Sequence, residues 1–324
     1  MTSGSSFPEW SRLRDQWPNA SLSRFVTSGN LRWHVQVGGV GPVVVLVHGT
    51  GAASFSWGEV LPHLLPHVSV VVPDLPGHGF TTAPDAGVLT LPGMATALGE
   101  LLATLEMSPV AVVGHSAGAA VLLRLSLEGR LPGATILGFN PALVPPPEVY
   151  RSLLAPLVHR VAGFRQVAVL AARLAGGAKG AEGAKGAKGA EGAKGAEGAK
   201  GAKGAEGAKG AGLVASLLRA SNSCIPAANI ALYETLFRSP EHDHNVLRMM
   251  AGWSLTELVD ELPRVTARVE LVAGREDPWI SSSALSRLVP RMPNATLELV
   301  TGGHLWHEEA PGAAAGRVLK AVAP

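Results

Sequence analysis

The sequence has very little cysteine and no long apolar run. A single cysteine, Cys224, excludes an internal disulfide framework and suits a reducing compartment, so we expect a cytoplasmic protein. The longest apolar stretches, such as 42–47 and 68–72, are far shorter than the ~20 residues that span a bilayer. We therefore expect no transmembrane segment, while peripheral membrane contact stays open. Residues 1–14 are polar and lack an apolar core, so no secretory signal is expected.

A strong charge of either sign is also missing. The formal net charge is +2, and residues 177–211 alone hold seven Lys and four Glu, which leaves −1 for the rest of the chain. A nearly balanced charge creates no positive electrostatic potential that would attract a polyanion, so we expect no nucleic-acid partner. The 324 residues are 47% hydrophobic and 16% charged, which indicates a globular protein with a substantial core.

Short aliphatic runs recur along the chain, as expected for parallel strands that are buried on both faces. The predicted strands with this pattern are Val43–Val47, Val68–Val72 and Pro109–Val113. Leu31–Val37, which alternates like a strand, and Thr135–Phe139, Val269–Ala273 and Ala295–Val300 are further predicted strands. Glycine-rich and polar segments follow most of them, at the end where ligands bind in open α/β sheets. We predict an α/β fold with a mostly parallel sheet and helices on both faces.

Between residues 141 and 262 the strand-like segments are replaced by helical patterns, which predict an inserted cap. The predicted cap helices are Leu153–Leu174, Leu213–Ala220 and Ala228–Phe237. The two parts of the core are then 1–140, with an N-terminal extension over 1–20, and 263–324. Such caps cover the active site and select the substrate.

Inside the cap, residues 177–209 repeat Gly-Ala-Lys or Gly-Ala-Glu eleven times. Glycine in every third position disfavours a helix by about 1 kcal/mol each relative to alanine. The lack of proline, and the position inside a globular domain, argue against a collagen helix. We predict a solvated low-complexity insertion over 177–211.

The segment Gly114-His115-Ser116-Ala117-Gly118 matches the pattern G-x-S-x-G between a predicted strand and an Ala-rich helix. This pattern is typical of the nucleophile elbow of the α/β-hydrolase fold, a sharp turn in which glycines leave room for an exposed serine hydroxyl. Ser116 is the predicted nucleophile. Serine rather than aspartate here argues against dehalogenase and epoxide hydrolase mechanisms, which form an ester on a carboxylate.

A serine hydroxyl needs a base, and the base must be held in the correct tautomer. In this fold the order along the chain is serine, acid, histidine, which predicts Asp277 and His304 after successive strands. Glu276 is the alternative acid, and His307 is the nearest competing histidine. No cofactor is needed for this chemistry.

Two backbone amides are expected to bind the oxyanion of the tetrahedral intermediate. They belong to Ala117 and to Thr50, within His48-Gly49-Thr50-Gly51, although that segment could simply form a tight turn. Asp74 is expected to be a structural hydrogen-bond partner.

Other polar and aromatic candidates carry less weight. The segment 242–244, His-Asp-His, is expected in a solvated polar loop without a third ligand group, so no metal is assigned. Core positions are expected for Trp57, Trp253, Met249 and Met250.

Several longer stretches go beyond the general pattern of the fold. They are Leu31-Arg32-Trp33-His34-Val35-Gln36, His48-Gly49-Thr50-Gly51-Ala52 with Ser56-Trp57, Asp74 to Phe80, Gly114 to Ala120, Leu232-Tyr233, Met249-Met250-Ala251 with Trp253, and Gly303-His304-Leu305 with His307-Glu308-Glu309. These stretches, which cover most of residues 21–311, resemble the magnesium chelatase accessory proteins of bacteriochlorophyll biosynthesis. The resemblance implies an α/β-hydrolase-fold protein associated with insertion of magnesium into protoporphyrin IX. It also implies a tetrapyrrole-related substrate and magnesium chelatase as a partner. The Gly-Ala repeat departs from this family's pattern.

Two main hypotheses follow from the residues and the resemblance. The first is a serine hydrolase that cleaves an ester or related acyl bond of a small molecule. The second is an accessory or porphyrin-binding protein that assists magnesium chelatase without catalysis, because a fold does not fix a function. Haloperoxidase-like or lyase chemistry on the same fold is a third hypothesis.

Overall fold

The computed structural model describes residues 9–144 and 214–323 and is built on an eight-stranded sheet. The strands are β1 (Ser23–Ser28), β2 (Leu31–Gly39), β3 (Val43–Val47), β4 (Ser69–Pro73), β5 (Ala111–His115), β6 (Thr135–Phe139), β7 (Val269–Gly274) and β8 (Ala295–Val300). Their spatial order is β1-β2-β4-β3-β5-β6-β7-β8. The pairs β1–β2 and β2–β4 are antiparallel and the other pairs are parallel. This confirms the predicted mostly parallel α/β sheet.

Each of the seven predicted strands is present, with ends within two residues of the prediction. The sequence analysis missed β1. Its sequence, Ser-Arg-Phe-Val-Thr-Ser, is largely polar, and most of its side chains are partly or fully exposed. An edge strand that pairs only with β2 needs no continuous apolar run, so it leaves a weak signal in the sequence.

The described helices cover both faces of the sheet and continue into the region of the predicted cap. Besides a short helix over residues 214–220, they are α1 (Trp10–Leu13), α2 (Leu61–Leu64), α3 (Leu91–Thr104), α4 (Ala117–Leu127), α5 (Ala227–Phe237), α6 (Pro240–Gly252), α7 (Thr256–Glu261), α8 (Ser282–Leu288), α9 (Trp306–Glu309) and α10 (Pro311–Val322). Among them, none is long and apolar enough to cross a bilayer.

Strand β3, in the middle of the sheet, is apolar at every position. Successive side chains on a strand point to opposite faces. Val45 and Val47 pack into a core cluster with residues of α3 and α4, whereas Val44 and Leu46 pack into a second cluster with residues of α2 and α10. Because helices cover both faces, a polar side chain anywhere along β3 would be buried.

In the region of the predicted cap, the described residues 214–262 are mainly helical, with short turns and loops between the helices. Residues 214–220 form a helix, and α5 follows with Leu232, Tyr233 and Leu236 packed against the loops that follow β3 and β4. This matches the predicted helices over 213–220 and 228–237. The predicted helix Leu153–Leu174 and the insertion 177–211 lie outside the described residues, so the boundaries of the cap stay a prediction.

Candidate active site

Ser116 lies at the sharp turn between β5 and α4. Its backbone has φ 50° and ψ −116°, which a non-glycine residue rarely adopts. Two flanking glycines are required by close packing. A Cβ atom on Gly114 would lie 2.4 Å from the Ala119 nitrogen, and one on Gly118 would lie 2.4 Å from the Val47 carbonyl oxygen. The turn therefore has the backbone geometry predicted for an elbow.

His304 lies in the loop after β8, between Ser116 and Asp277. Its Nε2 is 3.1 Å from Ser116 Oγ, and its Nδ1 is 2.8 Å from Asp277 Oδ2. A carboxylate only accepts hydrogen bonds, so the proton of the neutral imidazole is on Nδ1 and Nε2 is free to accept from the hydroxyl. The structure thus brings together three side chains that are up to 188 residues apart in sequence.

Asp277 is held in a hydrogen-bonded turn after β7. Its Oδ1 accepts from the backbone N–H of Trp279 at 2.8 Å and of Ile280 at 3.0 Å. Burial alone would raise the pKa of Asp277, but His304 and the hydrogen bonds outweigh burial and lower it. The alternative acid, Glu276, is exposed to solvent and does not contact His304 among the described interactions.

Asn140 is a contributor that the sequence analysis missed. It follows β6 with φ 45°, and its Nδ2 donates to Asp277 Oδ2 at 2.7 Å and to the Gly303 carbonyl oxygen at 3.2 Å. One amide therefore joins the acid to the loop that carries the histidine. An asparagine directly after a buried strand, at the same edge of the sheet as Ser116, was the available signal.

His115 supports the backbone of His304. Its Nε2 donates to the His304 carbonyl oxygen at 3.0 Å, and its ring packs at a tilt against that of His307, with 4.4 Å between the ring centroids. Burial, followed by the neighbouring histidines, holds the pKa of His115 well below its usual range. Burial, with His304 nearby, lowers the pKa of His307 to about 3. Both rings are therefore neutral at pH 7, and His307 packs behind the site against Trp57.

The loop predicted to bind the oxyanion lies directly against the elbow. A Cβ atom on Gly49 would be 3.0 Å from the Ser116 Cβ and 2.7 Å from His115 Nδ1. The buried His48 fixes this loop, because its Nδ1 donates to the Gly49 carbonyl oxygen and its Nε2 accepts from the Leu75 N–H, each at 2.8 Å.

The two predicted amide donors belong to the residues that directly follow Gly49 and Ser116 in the sequence. Thr50 follows Gly49 and is exposed, whereas Ala117 is the first residue of α4. Neither amide donates a turn or loop hydrogen bond to any acceptor in ranges 9–144 and 214–323.

Asp74 is structural, as expected. Its Oδ2 accepts from His34 Nδ1 at 2.8 Å and from the Phe80 N–H at 3.0 Å, and its Oδ1 accepts from the Ser54 N–H at 2.7 Å. Burial opposes ionisation, but His34 and these bonds lower the pKa of Asp74 to about 2. The carboxylate therefore joins β2 to the two loops that follow β3 and β4.

The expectation of a solvated loop at 242–244 is wrong. These residues lie in α6, where His242 is fully buried and its Nδ1 accepts from the Gly79 N–H at 3.2 Å, while His244 is exposed. Burial, with His48 nearby, lowers the pKa of His242 to about 3. No group of three or more metal-ligating side chains occurs in the part of the chain that the structure describes.

The aromatic and methionine candidates fall into two groups. Trp57 and Met249 are core residues, while Trp253 and Met250 are only partly buried. Trp279, which the sequence analysis did not consider, lies beside the site with its ring centroid 4.8 Å from that of His304. Its partly exposed ring covers one side of the imidazole.

Comparison with known proteins agrees with the fold. Residues 44–317 match the alpha/beta hydrolase family, and the chain belongs to that family. An alpha/beta hydrolase fold protein from Burkholderia ambifaria superposes with a TM-score of 0.70 at 22% identity, covering 92% of this chain and 97% of that one.

Two relatives match this chain over very different lengths. The magnesium-chelatase 30 kDa subunit of Rhodobacter capsulatus is 32% identical over 309 residues, which are 95% of this chain and 96% of that protein. The 2-hydroxy-6-oxo-2,4-heptadienoate hydrolase of Pseudomonas putida is 35% identical over 113 residues, which are 34% of this chain and 41% of that protein. The resemblance predicted from the sequence is therefore confirmed.

Proposed function

We propose that this chain is a serine hydrolase that cleaves an ester or related acyl bond of a small molecule. The observation that carries the proposal is the position of His304, 3.1 Å from the Ser116 hydroxyl and 2.8 Å from the Asp277 carboxylate. These are hydrogen-bonding distances for a base that is oriented by an acid and faces a nucleophile.

In the proposed reaction the Ser116 hydroxyl attacks the carbonyl carbon while His304 Nε2 takes its proton. The tetrahedral intermediate collapses, and the imidazolium returns the proton to the oxygen of the leaving alcohol, which leaves an acyl ester on Ser116. Water, deprotonated by the same nitrogen, then releases the carboxylic acid and restores the serine. Asp277, whose lowered pKa keeps it ionised at neutral pH, stabilises the imidazolium.

The amides of Thr50 and Ala117 are the proposed donors to the oxyanion. Support comes from the close approach of Gly49 to Ser116 and from the start of α4 at Ala117, because the first N–H groups of a helix have no intrahelical acceptor. A donor of this kind contributes about 3 kcal/mol to the stability of a transition state.

A fluorophosphonate probe tests the proposed nucleophile. Wild-type protein is expected to be labelled, and Ser116→Ala is expected to abolish labelling. The matched control is Ser286→Ala, which removes the hydroxyl of an exposed serine on α8 and should leave labelling unchanged. Folded wild-type protein that resists the probe would contradict the proposed hydrolase.

We also propose that the protein acts in bacteriochlorophyll biosynthesis with magnesium chelatase as a partner and a tetrapyrrole-related substrate. Support comes from the likeness to a magnesium-chelatase subunit over 95% of the chain. The same likeness favours a second candidate, an accessory or porphyrin-binding protein that needs no hydrolysis.

A comparison of strains separates the two candidates. Pigment intermediates are measured in a deletion strain complemented with wild type, with Ser116→Ala or with the empty vector. If hydrolysis is required, Ser116→Ala gives the same intermediates as the empty vector. Full rescue by Ser116→Ala would leave only the accessory role.

A further inference from the structure

The loop that carries His304 is fastened to a segment that precedes α5. The His304 N–H donates to the Ser221 carbonyl oxygen at 3.0 Å, and the Leu305 N–H donates to Ser223 Oγ at 2.8 Å. A Cβ atom on Gly303 would lie 2.3 Å from the Asn222 carbonyl oxygen, so the two segments are in direct backbone contact. The position of His304 is thus set partly by residues far from its own strand.

Two consecutive carboxylates complete this attachment. Glu309 accepts from the Gly303 N–H at 2.9 Å and from the Cys224 N–H at 2.7 Å. Glu308 is buried, and its two oxygens accept from Tyr233 Oη at 2.7 Å and from Asn229 Nδ2 at 2.6 Å.

Both partners of Glu308 lie on one face of α5. Asn229 and Tyr233 are four residues apart, which places them on the same side of the helix. Both are buried, and the ring of Tyr233 packs edge-on against Phe55 at 4.8 Å. Glu308 lies four residues after His304. Its buried side chain therefore links α5 to the loop that carries the histidine.

We propose that Glu308 is a positioning residue. Through its hydrogen bonds to Tyr233 and Asn229, it couples the packing of α5 against the core to the alignment of His304 with Ser116. The proposal rests on the proposed function of these two residues. When α5 is packed against the core and bound to Glu308, the histidine loop is fastened, and His304 is within hydrogen-bonding distance of the Ser116 hydroxyl. When the hydrogen bonds of Glu308 break, the loop is released and moves more freely. The imidazole of His304 is then aligned with the Ser116 hydroxyl for a smaller fraction of the time.

The ionisation of Glu308 gives this coupling a pH dependence. Burial raises the pKa of Glu308 to about 7 despite hydrogen bonds from Tyr233 and Asn229, and the charge of Glu309 adds to the rise. The other groups that face it are neutral at this pH. His307 Nε2, 4.0 Å from Oε1, has a pKa of about 3, and burial followed by Glu308 raises the pKa of Tyr233 well above its usual range.

The direction of the pH dependence is set by the two pKa values of Glu308. Its proton binds more tightly when the carboxyl group is buried than when it is in water, where the usual pKa is 4.5. Protonation therefore favours the fastened loop, and ionisation favours release as the pH rises through 7. With these two pKa values, the ratio of fastened to released loop falls about tenfold between pH 6 and pH 8.

Hydrogen exchange on the full chain tests the coupling without any need for catalysis. Protection factors of the His304 and Leu305 amides are measured at pH 6 and pH 8. In wild type they are expected to fall about tenfold. In Glu308→Gln, which cannot ionise, they should stay constant, and at pH 8 they should exceed the wild-type values. Glu298→Gln, the same change at an exposed site on β8, is the matched control and should behave as wild type.

A second variant addresses the partner on α5. Tyr233→Phe keeps the ring against Phe55 and removes the hydroxyl, so protection of the same two amides should fall at least threefold at pH 6. Should Glu308→Gln fail to fold, this variant decides the question alone. The coupling is refuted by protection that is unchanged in Tyr233→Phe, or by an equal pH dependence in wild type and Glu308→Gln.

The labelling rate of Ser116 links the coupling to the site. Relative to Glu308→Gln, wild type should lose labelling rate between pH 6 and pH 8, in parallel with the exchange data. A wild-type protein that is never labelled contradicts the proposed hydrolase and leaves the exchange test of the coupling standing. Normal labelling in all variants at both pH values contradicts the coupling alone.

Discussion

The substitution Asp277→Asn reverses the direction of one hydrogen bond in the site. Oδ1 of Asp277 accepts from two backbone N–H groups, those of Trp279 and Ile280. The oxygen of an asparagine takes this place, because an NH₂ group there would face two fixed backbone donors. At the Oδ2 position the competing donor is the side-chain amide of Asn140, which can turn its oxygen towards the new NH₂ group. The new NH₂ group is then directed at His304 Nδ1, 2.8 Å away in the wild type.

An NH₂ group can only donate, so His304 must accept at Nδ1 and carry its proton on Nε2. The imidazole can then no longer take the proton of Ser116. In the well-studied serine protease with this arrangement the same change lowers the rate about 10⁴-fold, and we expect a loss of about 10³ to 10⁴ here. This corresponds to about 4 to 5 kcal/mol of transition-state stabilisation.

The assay is the second-order rate of fluorophosphonate labelling at pH 7.5, with thermal unfolding as a check of the fold. Glu276→Gln, at the exposed neighbouring residue, is the matched control and should label at the wild-type rate. A folded Asp277→Asn protein that labels within threefold of wild type would refute the assigned tautomer and the role of Asp277.

Three further predictions concern residues around the site. Asn140→Ala removes the donor to Asp277 and Gly303 and should lower the free energy of unfolding in urea by about 2 kcal/mol and slow labelling; unchanged values for both would contradict its role. Gly118→Val places a Cβ atom 2.4 Å from the Val47 carbonyl oxygen and should abolish soluble folded protein, whereas a wild-type yield would contradict the elbow geometry. Asp74 has its pKa lowered to about 2, so its ionisation contributes about 2 kcal/mol above pH 4, and this is lost as the pH falls towards 2. Asp74→Asn should be less stable at pH 7 and should flatten the stability curve between pH 4 and pH 2, measured by urea unfolding; a curve parallel to wild type would contradict this.

Much of the sheet could be predicted because its signal is local. A strand buried on both faces, such as β3, is apolar at every position, and the pattern around Ser116 reports a turn that only a few residues can form. The chain order of the fold then pointed to Asp277 and His304. None of these inferences needed a long-range contact to be known in advance.

The residues that were missed depend on partners far away in sequence. Asn140 meets Asp277 across 137 residues, and Glu308 meets Asn229 and Tyr233 across 79 and 75 residues. The position of Asn140 directly after a buried strand indicates the edge of the sheet where it lies but not its partner, and Glu308 gives no comparable signal. His242 was misjudged for the same reason, because its burial against Gly79 is decided by tertiary packing and not by its polar neighbours.

Intact-mass measurement after phosphonylation, followed by peptide mapping, shows whether His304 activates the Ser116 hydroxyl. We expect one adduct per chain, located on Ser116, and no adduct at comparable times in His304→Ala. An adduct on another serine, or equal labelling of folded His304→Ala, would contradict the claim that His304 activates the Ser116 hydroxyl.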